Sequence, residues 1–337
     1  MLDLLIFDLD GVITSEGKYW NTSRLTVWDI FSGGDFFSQA LNSPERALKY
    51  GNSIISDRFI AQIKKRAVNS NWDLTYFVVC LYLISILERV PHNLDLPLLE
   101  QIQELGRKAE KITISDDAII EQFWRETQSL QGSQVADYLI PFSQKILAIG
   151  IDEIFDLELL WQQCYSLFQL WYEGKRGFIL PDDETVLPVE TIGNILSELA
   201  GRYDLGIATG RPRLEVIQPL TKLELLSYFN PSRIVTYDDV LQAQAQVNQK
   251  LGKPHPFILH KAMAPELPIA EILQENFTLE KANRVAYIGD AGSDVVAAKR
   301  ASCFSIGVLT GFCEAATLQQ LGCDMIVQDI SALLEIL

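Results

Sequence analysis

The sequence predicts an α/β fold: a doubly wound parallel sheet whose chain is interrupted, just after the first strand, by a large all-helical insertion. Three observations carry this. Leu4 to Phe7 is a short run that is apolar on both faces, as a central parallel strand covered by helices reads. From Pro181 onward, short apolar runs alternate with segments of helical period, the pattern of a parallel sheet wound on both sides. Between them, from Ser15 to about Gly177, the period is mostly helical, and Trp20, Trp28, Trp72, Trp124, Trp161 and Trp171, all the tryptophans of the chain, fall there. The expected division is residues 1–16 with 181–337 for the sheet domain and 17–180 for the helical insertion.

Taken in order, the insertion contains several bounded helices. Asp73 is read as the cap of a run from Leu74 towards Val90, with Pro91 after its end. Pro97 opens a segment reaching Lys111, and Ser115 is the expected N-cap of Asp116 to Leu130. Asp156 caps Leu157 to Glu173, which Gly174 closes. In the sheet domain, a helix from Glu184 or Thr185 to Gly201 precedes a strand from Asp204 to Ala208. A helix from Arg213 to Leu225 and a short strand from Ile234 to Thr236 follow. A proline-bearing helical stretch then runs to about Ala282. The remainder reads as a strand from Arg284 to Ile288, a helix from Ser293 to Ala301 and a strand from Cys303 to Gly307. A helix from Glu314 to Leu321, an extended piece from Met325 to Val327 and a last helix from Ile330 to Leu337 complete it.

Composition narrows the function. With 337 residues and 48% apolar side chains, the chain has ample core material. A net charge of −16 argues against a general nucleic-acid binder, which needs a basic face. Cys80, Cys164, Cys303, Cys313 and Cys323 form no CxxC pair and are odd in number, so they read as reduced thiols. The longest nearly apolar run, Leu74 to Leu87, is too short to span a bilayer and reads as a buried helix. No basic leader precedes the first strand. The expectation is a soluble, cytoplasmic protein without a membrane or nucleic-acid partner.

The chemistry gathers at strand ends. Asp8 and Asp10 follow the first apolar run at alternate positions, and in extended chain such residues share a face. The carboxyl edge of an open α/β sheet is where ligands bind. Two carboxylates about 4 Å apart repel by roughly 4 kcal/mol at an effective dielectric near 20. Either a metal cation or a raised pKa on one acid must compensate. Thr209 and Gly210 end the strand Asp204 to Ala208, offering a hydroxyl and an approachable backbone N–H to an oxyanion. Lys253 lies between Gly252 and Pro254, on a turn stiffened further by Pro256. Asp290 sits at the tip of another strand, and Asp294 lies at the start of the next helix, which it can also cap. His255 and His260 have no evident partner and read as surface or supporting residues rather than bases.

Four strings resemble the signatures of the haloacid dehalogenase-like superfamily, in the right order and each at the end of an expected strand. They are Asp8-Leu9-Asp10-Gly11-Val12, Thr209-Gly210, Gly252-Lys253-Pro254-His255-Pro256 and Gly289-Asp290 with Asp294. The string from Asp8 through Thr14 also resembles the phosphoglycolate phosphatase and β-phosphoglucomutase-like branch, with a helical cap inserted after strand one. The resemblance covers residues 1–17 and about 181–312.

It implies a Rossmann-like core, Mg²⁺ as cofactor and a small phosphorylated metabolite as substrate. Asp8 would be the nucleophile, Asp10 the acid and base, and Lys253 the cation that neutralises nucleophile and phosphate. Thr209, Gly210 and Arg211 would hold the phosphate, and Asp8, Asp10, Asp290 and Asp294 would serve the metal, Asp10 through its carbonyl. Cap residues would supply specificity, with Lys175, Arg176, Arg211 and Arg213 as possible contacts. Asp10 disfavours dehalogenation, since dehalogenases of this pattern lack that second acid. Ser15 and Trp20 stand where the mutases carry Asp and His. The leading expectation is therefore a phosphatase; a sugar-phosphate mutase and a catalytically silent binding protein on the same fold are the alternatives.

Overall fold

The computed structural model describes residues 2–31, 36–37, 41–66, 68, 70–90, 96–109, 117–182, 184–247, 249–311 and 313–337. The chain divides into two compact units, Met1–Glu16 with Asp183–Leu337, and Gly17–Asp182.

The first unit is built on six parallel strands: β1 (Leu4–Phe7), β2 (Asp204–Ala208), β3 (Ile234–Val235), β4 (Val285–Gly289), β5 (Phe304–Val308) and β6 (Met325–Val327). Their order is β3-β2-β1-β4-β5-β6. Leu4 is in register with Asp204 on one side and with Val285 on the other, so β1 is interior and paired along both edges. Alternate residues feed two apolar layers, as the pleat requires. Leu5 and Phe7 join Leu205, Ile207 and Ile288 under the helices Val189–Ala200 and Leu214–Lys222. Leu4, Ile6 and Tyr287 join the layer under Phe257–Met263 and Gly292–Arg300. Helices cover both faces, and the α/β expectation holds.

Element bounds shift where a local hydrogen bond competes. The helix expected from Glu184 begins at Val189, after Pro188. The preceding residues are used otherwise. Ser15 N donates to Glu184 O at 2.7 Å and Val186 N to Ile13 O at 3.1 Å, forming a short ribbon beside the bridge of Thr14 with Thr185. The closing segment splits into a 3₁₀ turn, Ile330–Ala332, and the helix Leu333–Ile336.

The second unit is helical, and Asn71–Leu87 runs through its core, buried on every side from Phe77 to Ile86. A helix apolar all round needs neighbours all round. Its N-cap is Ser70, whose hydroxyl accepts from Asp73 N at 3.1 Å, one turn ahead of the expected start. Asp73 instead accepts from Trp161 Nε1 at 2.9 Å. Asp156 caps Leu157–Tyr172 as expected, and Gly174 takes φ +71°, a left-handed conformation that favours glycine. Pro91 and the Ser115-Asp116 start lie outside the described residues; the helix there is Ala118–Glu126, capped by Asp117. Among the described residues no helix is long and apolar enough to cross a membrane.

Two buried basic groups sit apart from the sheet edge. Arg66 is 3% exposed and meets no carboxylate among the described residues; it donates to Trp124 O at 2.7 Å, Thr127 Oγ1 at 2.9 Å and Gln62 Oε1 at 2.7 Å. It thereby closes the end of Ala118–Glu126, where carbonyls lack helical partners. We expect Arg66→Met to destabilise the helical unit by about 1–3 kcal/mol, the cost of leaving buried acceptors unpaired, measured as a lower unfolding midpoint in urea.

His260 packs edge-on to Phe277 at 5.0 Å in the apolar layer of the sheet unit. Burial lowers its pKa to about 4 from an ordinary value near 6.5. Between those values the unfolded chain takes up a proton that the folded chain refuses, so stability falls as pH drops from 6.5 to 4. His260→Leu should flatten that part of the pH–stability profile, read from melting temperatures.

Candidate active site

Asp8 lies one residue past β1, Asp290 one past β4, and Asp294 in the first turn of Gly292–Arg300. These carboxylates converge: one oxygen from each lies within 4.8 Å of the others, and all three residues are buried. Lys253 reaches into the same cluster from the loop before Phe257–Met263. Its ammonium is 2.7 Å from Asp8 Oδ2 and 2.8 Å from Asp294 Oδ1. Asp294 also accepts from Ala291 N at 3.0 Å through Oδ2, so it caps its helix and faces the cluster at once.

Room for this packing comes from glycines. A Cβ on Gly11, which has φ +69°, would fall 2.5 Å from Asp290 Oδ2; one on Gly311 would fall 1.8 Å from it. The Thr310 hydroxyl donates to Gly11 O, tying the loops after β1 and β5 together.

The electrostatics follow from burial. Loss of water pushes the Asp8 carboxyl up to about 7, with Asp294 and Asp10 adding to the rise and Lys253 opposing it. Burial works against the Lys253 ammonium, yet Asp294 and Asp8 hold its pKa well above the ordinary value. Tyr287 is a further member of the cluster that sequence reading passed over. Its hydroxyl donates to Ala208 O at 2.9 Å, while its oxygen accepts from Lys253 at 3.2 Å. The one signal for it was a phenol in an otherwise aliphatic and glycine strand.

A divalent cation fits these residues. Three carboxylates face a single ammonium, and Asp8 Oδ1 is buried with no hydrogen-bond partner among the described residues. A hard, all-oxygen donor set of this kind suits Mg²⁺.

The structure brings Asp10 and Arg211 together. Asp10 does not join the three converging carboxylates through its side chain. β1 ends at Phe7 and the chain turns through Gly11, with Gly11 N donating to Thr14 O at 2.8 Å, so the alternation of an extended strand no longer aims both acids alike. Arg211, expected on the phosphate, is 2% exposed and clasps Asp10, donating to Oδ1 from Nε at 2.8 Å and again from Nη2.

Thr209 is buried and its hydroxyl accepts from Arg211 N at 3.3 Å, whereas Gly210 is exposed and has no atom within 4 Å of where a Cβ would stand. The other basic candidates are engaged elsewhere. Arg176 donates to Asp29 Oδ1 at 2.8 Å, Lys175 pairs with Glu173, and Arg213 donates to Ile234 O at 3.3 Å.

Residues 172–308 match the family model described as haloacid dehalogenase-like hydrolase. The matched stretch spans Thr209, Lys253, Asp290 and Asp294. The chain is 25% identical over 240 residues to a phosphoglycolate phosphatase of Neisseria meningitidis, covering 70% of this chain and 86% of the relative. It is 26% identical, with the same coverage, to the phosphoglycolate phosphatase of Neisseria gonorrhoeae. Among solved structures, a structural-genomics target matches with a TM-score of 0.67 at 24% identity, covering 100% of this chain and 98% of that one. A protein from Haemophilus somnus, described as a predicted phosphoglycolate phosphatase, matches with a TM-score of 0.51 at 14% identity, covering 99% and 97%. At these identities the structural matches speak for the fold.

The crowding of carboxylates in this cluster has a thermal consequence. Mg²⁺ at about 100 times its Kd should stabilise the protein by about 2.7 kcal/mol, seen as a higher melting temperature. Asp290→Asn should lose most of that rise; an equal rise in the variant would place the ion elsewhere.

Proposed function

We propose that this hydrolase is a Mg²⁺-dependent phosphatase that acts on a small phosphorylated metabolite through a phosphoryl group carried on Asp8. The observation that supports it best is the buried convergence of Asp8, Asp290 and Asp294 around the Lys253 ammonium, with one Asp8 oxygen lacking a partner. The phosphoglycolate phosphatases similar to this chain make phosphoglycolate the first substrate to try.

In the proposed reaction an Asp8 carboxylate oxygen attacks phosphorus, forming an acyl phosphate as the ester P–O bond breaks. Asp10 gives its proton to the departing alkoxide. It then takes a proton from water, whose oxygen attacks phosphorus. The bond to Asp8 breaks, and inorganic phosphate and the free carboxylate result. Mg²⁺, held by Asp8, Asp290 and Asp294, would supply charge neutralisation and Lewis acidity at the phosphoryl oxygens. Lys253 holds one Asp8 oxygen in place and offsets the negative charge that gathers as phosphate approaches. Gly210, with open space at its Cα, presents a backbone N–H that an equatorial oxygen can reach.

The two acids give different signatures. Asp8→Asn should abolish release of phosphate from phosphoglycolate and p-nitrophenyl phosphate and leave no acid-stable label from ³²P-substrate. Asp10→Asn should slow turnover by about 10²–10⁴-fold while labelled protein accumulates, because the acyl phosphate forms and water is not activated. A wild type inert with Mg²⁺ on these and on a panel of metabolite phosphates would end the phosphatase reading. Exchange of hexose 1- and 6-phosphates without release of phosphate would put a mutase in its place.

A further inference from the structure

We infer that Arg211 is a positioning residue for the proton transfers of Asp10, and that phosphate binding is not its task. This rests on the phosphatase reading above and adds a residue that reading leaves without a role.

Arg211 is anchored at both its backbone and its guanidinium. Its N–H donates to Thr209 Oγ1 at 3.3 Å, and its carbonyl accepts from Tyr237 N at 2.9 Å. Its guanidinium spans three acceptors on the loop after β1. Nε meets Asp10 Oδ1 at 2.8 Å; Nη2 meets the same oxygen, Thr14 Oγ1 at 3.0 Å and Ser15 O at 3.2 Å. Thr14 is itself held, donating to Leu9 O at 3.2 Å.

Both guanidinium contacts to Asp10 converge on Oδ1. That leaves Oδ2 as the oxygen on which a proton can ride to a leaving group or arrive from water. The Asp10 side chain is 19% exposed against 2% for Arg211, so the carboxylate is within reach of solvent while the guanidinium is buried. A planar fork fixed at its backbone and at two further acceptors sets the carboxylate's rotation, which a lysine, a point charge on a flexible stem, does not do. The Nε and Nη2 donors to Asp10, Thr14 and Ser15 point into the loop.

The test is the dependence of kcat/KM on the leaving group, measured with Mg²⁺ on 4-nitrophenyl, phenyl and 4-methoxyphenyl phosphate. A nitrophenolate leaves without a proton; a methoxyphenolate needs one. Wild type should show a shallow dependence. Arg211→Met should steepen it, losing about 10²-fold more on the methoxyphenyl than on the nitrophenyl ester, and Arg211→Lys should fall between. In an Asp10→Asn background, Arg211→Met should add no further steepening, since the two act as one unit. The Mg²⁺-induced rise in melting temperature, retained in the variants, separates this from a general disturbance of the cluster.

An equal loss on all three esters with a raised KM would overturn the inference and assign Arg211 to the phosphate. Additive steepening in the double variant would overturn it as well. A wild type that hydrolyses none of the three esters overturns the phosphatase reading itself and takes this inference with it, a failure distinguishable from the other two.

Discussion

A single ammonium group, that of Lys253, is withdrawn from water and wedged between the carboxylates of Asp8 and Asp294. Three segments far apart in the chain meet there: the end of β1, the turn before Phe257–Met263 and the first turn of Gly292–Arg300. Buried charges are tolerable only when paired and hydrogen-bonded, and removing one partner costs more than the pair gains by forming. The pairing therefore constrains the geometry more than it adds to stability. Asp290 brings a third carboxylate within reach of the other two. Carboxylates crowded so closely repel one another, and a divalent cation would relieve that repulsion.

The sheet makes the meeting possible. With β1 between β2 and β4, loops from both neighbours open beside Asp8 at the carboxyl edge, where an α/β sheet leaves a crevice. Tyr287, in register with Ile6, stands in the apolar layer and sends its hydroxyl to Ala208 O, joining the strands on either side of β1. Gly11 and Gly311 leave the space that the Asp290 carboxylate occupies. Packing and polarity are thus not separable at this edge: small residues are required where the charged ones crowd.

Asp8 and Asp10, two residues apart, live in different surroundings. Asp8 is buried among carboxylates and an ammonium, while Asp10 is partly exposed and held by a guanidinium. Divergent surroundings are how neighbouring acids come to serve different steps. In the proposed reaction the buried one forms the bond to phosphorus and the exposed one moves protons. The turn after Phe7 separates them, since an uninterrupted strand would have pointed both the same way.

How much of this was legible in the chain depends on range. The apolar run Leu4–Phe7, the alternation beyond Pro181 and the helical period before it announced the sheet and the insertion, because burial on one or both faces is written in local spacing. The acids at strand ends were visible for the same reason, and the lysine by the prolines around it. Helix starts at Ser70 and Val189 were missed by a few residues, because a cap or a short ribbon with a distant segment decided them. Tyr287 left only the signal of a phenol in an aliphatic strand, and the clasp of Arg211 on Asp10 could not be read at all. By itself the sequence determined the strands, the helical insertion and which chemically able residues stand at strand tips. Only the tertiary structure decided which carboxylates share one buried space and which side chain each oxygen faces, since those are set by contacts between residues far apart in the chain, Asp8 and Asp294 being 286 positions apart, and local spacing carries no record of them.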